Sequence, residues 1–125
     1  MNYVENMKSN IIQEKSFAFA VRIVKLYQFL CKEKKEFVLS KQLLKAGTSI
    51  GANVEEAIGG QSEKDFLSKI GISYKEARET IYWIKLLSAT QYLNDRQTKS
   101  ILADAEELRK ILSSIQLTSK QKSNS

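Results

Sequence analysis

The chain has 125 residues, enough for one domain with one core, and 42% of them are apolar. Proline is absent and glycine occurs only five times, which permits long uninterrupted helices and excludes an architecture of many short strands and turns. Twenty Lys and Arg against fourteen Asp and Glu leave a formal charge of +6, suited to an anionic partner without requiring one, while the lack of histidine removes the commonest general base and metal ligand.

Asn10-Ile11-Ile12-Gln13 has the spacing of a capping box and predicts a first helix over about 11–34. On a helical wheel Phe17, Ala20, Val21, Val24, Tyr27 and Cys31 form one side, continued by Ile23, Leu30, Phe19 and Leu26. The apolar arc covers about 220°, wider than one core needs, so the helix is expected to be covered twice, by its own bundle and by a second subunit. Phe19, Ile23, Leu26 and Leu30 are assigned to that subunit contact. Cys31, the single cysteine, sits at an apolar position, forms no intrachain disulfide and reads as a buried thiol in a reducing compartment.

After the charged break at Lys32 to Glu36, Leu39, Leu43, Ala46, Ile50, Val54 and Ala57 mark a second helix over 39–58. Gly59-Gly60 is read as its C-terminal stop, with glycine taking the left-handed conformation. Ser62-x-x-Asp65 opens a third helix over 63–89, carried by Phe66, Ile70, Tyr74, Ala77, Ile81 and Ile84. Asn94-Asp95-Arg96-Gln97 is a further capping-box spacing, before a narrow stripe of Ile101, Ala105, Leu108, Leu112 and Ile115 in a fourth helix over 95–117. Residues 1–10 and 118–125 are expected to be frayed. Short connections make successive helices antiparallel, so the prediction is an all-α, up-down-up-down four-helix bundle forming a single domain over 1–125.

Gly47-x-x-x-Gly51 puts two glycines one turn apart, and close approach of another helix is the leading reading; a phosphate-binding loop would need a lysine and a preceding strand that are missing. Thr48, Ser49, Asn53 and Glu56 flank this face, either bonding within and between helices or lining a ligand site. Adjacent Glu55 and Glu56 point about 100° apart and cannot share a proton or a metal. With a lone cysteine and scattered acids, no catalytic residues, metal site or cofactor are expected; an enzyme would need a site formed only between subunits.

Two basic stripes stand out. Lys15, Arg22, Lys25 and Lys32 share one side of the first helix with Phe29, and Lys64, Lys75, Arg78 and Lys85 share one side of the third with Tyr82. These eight cations are the candidate nucleic-acid contacts, where an interleaved aromatic ring could stack a base; the alternative is an ordinary solvated face. Tyr82, Trp83 and Leu86 lie off the main apolar face and are assigned to a neighbouring subunit, with a role at the bundle end as the alternative. No segment has the length and apolar character of a membrane span or a signal peptide, so a soluble cytoplasmic protein is expected.

The run Gln42-Leu43-Leu44-Lys45-Ala46-Gly47-Thr48-Ser49-Ile50-Gly51-Ala52-Asn53-Val54-Glu55-Glu56-Ala57, with Ser62-x-x-Asp65-Phe66 and Lys75-Glu76-Ala77-Arg78-Glu79-Thr80-x-Tyr82-Trp83, resembles a bacterial four-helix-bundle family. The family includes proteins encoded in intervening sequences of 23S ribosomal RNA genes, and the resemblance covers Lys15 to Ile115. It implies an antiparallel four-helix bundle. Similar proteins, among them the accessory variability determinant of diversity-generating retroelements, assemble as homopentamers, and the accessory proteins bind nucleic acid and a reverse transcriptase through a basic surface. Glu55 and Ala57 depart from residues common in the family, alanine and glycine respectively. The function expected is a non-enzymatic oligomer, with a homopentamer implied by the resemblance, binding RNA or DNA through basic helix faces. The alternative is a scaffold ring that docks a protein partner without touching nucleic acid.

Overall fold

The computed structural model describes the backbone of residues 3–124 and the side chains of residues 7–119. Four helices follow one another: α1 (Tyr3–Lys34), α2 (Leu39–Ile58), α3 (Glu63–Ala89) and α4 (Asp95–Asn124). Each packs on its sequence neighbours and α4 returns to α1, so the helices form a closed square with no close backbone approach across either diagonal among the described residues. Gln13 meets Glu55, Ser73 meets Ile50 and Lys15 meets Glu107, which makes neighbours antiparallel and gives the expected four-helix bundle.

The core is a column of Ile12, Phe19, Ile23 and Leu30 from α1, with Leu43, Ile50 and Val54 from α2. Ile70, Ala77 and Ile84 from α3 and Ile101, Leu108 and Leu112 from α4 complete it. The buried Ser73 hydroxyl donates to the Ile50 carbonyl at 2.9 Å, so this polar group enters the core with a partner.

The bounds of α2 and α3 match the periodicity, and the ends of the bundle differ from it. Helix α1 starts at Tyr3 rather than near Ile11, and Asn10-to-Gln13 lies inside it. Helix α4 runs to Asn124, past the expected end at 117. The two extensions support each other. The Lys8 ammonium donates to Ser114 Oγ at 2.8 Å and Thr118 Oγ1 at 2.9 Å, and Ser9 and Ser119 are both buried. Met1, Asn2 and Ser125, part of the ends expected to fray, lie outside the described residues.

The connections depart from the expected turn chemistry. Gly59 caps α2 at φ −80°, and no described glycine has positive φ. The left-handed positions are instead Lys35 (φ 52°), just past α1, and Gln91 (φ 68°), just past α3. Helix α2 has Val38 at its N-cap, with no side chain able to cap there. Glu36 supplies the cap from upstream: Oε1 accepts from the N–H of Val38 at 3.0 Å and of Leu39 at 2.8 Å, and Oε2 from the N–H of Ser40 at 2.7 Å. Burial pushes the Glu36 carboxyl up, but the N–H groups of Leu39, Ser40 and Val38 together outweigh it and hold the pKa below the usual value. By contrast, the reciprocal capping box opens α4 as expected, Asn94 N–H to Gln97 Oε1 at 3.0 Å and Gln97 N–H to Asn94 Oδ1 at 2.8 Å.

Candidate nucleic-acid interface

The two basic stripes have different surroundings. On α1, Lys15 pairs with Glu107 at 3.1 Å, and Arg22 pairs with Asp104 while donating to the Ser100 hydroxyl and carbonyl. With Lys8 they stand at seven-residue intervals along the α1–α4 seam, so Lys15 and Arg22 tie two helices together. Lys25 and Lys32 are exposed, and Phe29 packs partly against the core.

On α3, Lys64, Lys75, Arg78 and Lys85 are all exposed, and none of them is ion-paired among the described residues. Arg78, Tyr82 and Lys85 line an open groove of roughly 550 Å³ toward α4, with Tyr74, Ile81, Glu106 and Arg109 as the other lining residues. Tyr82 is 57% exposed, and its ring stands edge-to-face against Trp83 at 5.0 Å and 76°. The Trp83 indole N–H is buried without a hydrogen-bond partner among the described residues. Arg109 donates to Glu106 at 2.9 Å, and this carboxylate drives its pKa above the ordinary guanidinium value. The two charges largely offset each other, so Arg78 and Lys85 supply the groove's net attraction for an anion.

Tyr74, Glu106 and Arg109 join the groove without a sequence signal for that role. Tyr74 carries the apolar period of α3, and Glu106 and Arg109 flank the core stripe of α4; only the packing of α3 on α4 brings them to one groove.

The face of α1 assigned to a second subunit requires correction. Phe19, Ile23 and Leu30 are at most 2% exposed within the chain's own core, and Leu26 packs partly against it. The exposed apolar side is the opposite one, with Phe17 at 71%, Val21 at 41% and Val24 at 39%. An arc covering more than half a helix holds two possible core faces, and hydropathy does not rank them. The α2 glycines select between them. A Cβ at Gly47 would lie 2.7 Å from an Ile23 side-chain carbon and one at Gly51 3.3 Å from the Ser16 carbonyl oxygen, so the backbones close up on the Ile23 side. Trp83 packs partly against the core and Leu86 is half-buried, leaving Tyr82 as the exposed member of that trio.

Around the glycines the polar side chains find partners within the chain. Thr48 donates to the Leu44 carbonyl at 2.7 Å, Ser49 to the Lys45 carbonyl at 2.5 Å and Asn53 to the Ser49 carbonyl at 2.9 Å. Glu56 pairs with Lys69 on α3 at 3.1 Å, whereas Glu55 accepts from Gln13 on α1 at 2.9 Å, so the adjacent acids serve opposite sides of α2. Among the described residues no His, Cys, Asp and Glu side chains gather in a group that could hold a metal ion, and no helix is long and apolar enough to cross a membrane.

The model of the 23S rRNA-intervening sequence protein family matches residues 8–114. The chain belongs to this family. A crystal structure of a protein of unknown function from the S23 ribosomal protein family of Bacteroides thetaiotaomicron VPI-5482 is 54% identical, with a TM-score of 0.85. The match covers 86% of this chain and 96% of that one. No curated protein matches the chain. The match takes in all of α2 and α3, so the glycine face and the α3 stripe both lie within the family's domain, whereas the last ten residues of α4 do not.

Proposed function

We propose that this protein is a non-enzymatic cytoplasmic bundle that binds nucleic acid through α3 and the adjoining groove on α4. One observation carries the reading: Lys64, Lys75, Arg78 and Lys85 form an exposed stripe without ion-pair partners among the described residues, while Lys15 and Arg22 at the α1–α4 seam are paired with acids. From Lys64 to Lys85 the stripe extends about 30 Å along the helix axis, enough to follow several phosphates.

The test is fluorescence anisotropy with a labelled oligonucleotide across a salt series. Affinity is expected to fall steeply with salt, and Lys75→Glu/Arg78→Glu/Lys85→Glu is expected to weaken binding more than tenfold and flatten the salt slope by about two. A triple variant that binds as tightly as the parent overturns the reading.

The exposed side of α1 favours self-association as a second property. Phe17 lines a depression with Ala20, Gly51 and Ala52, and exposed Val21 and Val24 lie on the same side of α1. Light scattering at micromolar concentration reads the assembly, with the family resemblance giving five copies as the expected number; a monomer removes this part of the proposal. A partner captured from the native host after nuclease treatment would favour a protein-docking role instead.

A further inference from the structure

Tyr82 lies between two of the unpaired cations. Arg78 precedes it by about one turn and Lys85 follows by just under one, so the three side chains share one side of α3 at the mouth of the groove. The ring is more than half exposed, yet its edge-to-face contact with Trp83 orients it. A large aromatic ring facing water between two cations is an unusual use of surface. It has the composition of a stacking platform, a π-face for a base with a positive charge on either side for the flanking phosphates.

We infer that the ligand of this groove is an unpaired strand, RNA or single-stranded DNA, with one base stacked on Tyr82 and the neighbouring phosphates held by Arg78 and Lys85. This inference rests on the nucleic-acid reading above and narrows it. In a duplex the base faces are covered by their neighbours, so Tyr82 has nothing to stack on and only the phosphates remain for the cations. Tyr74 and Ile81 give the groove an aromatic and apolar side, and its roughly 550 Å³ accommodates a nucleobase. Every base has a π-face, so the platform tolerates many sequences.

The experiment compares four probes of equal length by anisotropy: a uridine 12-mer, a thymidine 12-mer, an abasic deoxyribose-phosphate 12-mer and a 12-base-pair duplex. The two base-bearing strands are expected to bind about tenfold more tightly than the abasic strand, with Tyr82→Ala removing that advantage and Tyr82→Phe retaining it. Trp83, the only tryptophan, stands 5.0 Å from the Tyr82 ring, so its emission is expected to change with the base-bearing strands and to stay constant with the abasic one.

Equal affinity for the abasic and base-bearing strands, or a duplex bound as tightly as the single strands, overturns the stacking inference while leaving phosphate binding in place. Absence of binding to all four probes at low salt overturns both. Tyr82 is exposed, so its replacements are expected to leave the fold intact, and retained binding of the abasic strand by Tyr82→Ala verifies that.

Discussion

Replacing Glu36 isolates how α2 begins. In Glu36→Ala three backbone N–H groups, at 3.0, 2.8 and 2.7 Å from the carboxylate, lose an ionised acceptor, and Val38 at the N-cap offers no side chain to replace it. A lost N-cap costs about 1–2 kcal/mol and a hydrogen bond to a charged group about 1.5–3 kcal/mol. The site is next to solvent, since Val38 is 72% exposed, so water recovers part of that loss at Val38 and Leu39, less at buried Ser40. The expected net destabilisation is about 2–4 kcal/mol, with Glu36→Gln, which keeps one carbonyl acceptor, at about half of it. Urea denaturation at neutral pH measures both. The sign of the pH dependence follows from the lowered pKa: the native state favours the carboxylate, so its contribution is fully present above the unfolded pKa and fades as pH falls through the depressed folded one. The parent is therefore expected to lose its advantage over Glu36→Gln in acid. A loss below about 0.5 kcal/mol for Glu36→Ala, or a parent-to-Gln gap unchanged by acid, refutes the capping argument.

Two further substitutions test the backbone. Gly47→Ala places a methyl 2.7 Å from fully buried Ile23 and is expected to cost about 1–2 kcal/mol in thermal or urea unfolding even after the gain in helix propensity. Lys35→Gly and Gln91→Gly relieve left-handed conformations at φ 52° and 68° and are expected to stabilise by about 0.5–1 kcal/mol each, read in the same unfolding experiments.

Much of the bundle is legible in local pattern because the deciding interactions are local. The period of α3 and the Asn94–Gln97 capping box depend on residues within a few positions of one another. The bundle ends depend on distant partners: Lys8 reaches Ser114 and Thr118 across more than a hundred residues, a pairing of polar groups that no local spacing reveals. The Asn10–Gln13 spacing fails as a start signal because Ile12 belongs to the core and holds the helix through it. In the candidate interface the α3 stripe is readable from its spacing, while the neutral Glu106–Arg109 pair and the capture of Lys15 and Arg22 require knowing which helix faces which. Glu36 reads as one charge in a polar break, since a cap that reaches forward over Phe37 to three successive N–H groups has no fixed spacing signature.

Lys8, Lys15 and Arg22 give the closed square an uneven set of edges. Glycine contact draws α1 onto α2, and a buried hydroxyl locks α2 to α3, but along the α1–α4 edge these three cations are hydrogen-bonded or ion-paired at partly exposed sites. Dissolved ions screen such pairs, as they do the exposed Glu56–Lys69 pair between α2 and α3. Beneath the two α1–α4 ion pairs lies the common core of Ile12, Phe19, Leu108 and Leu112, so ionic strength acts on the surface of this edge and not on its interior.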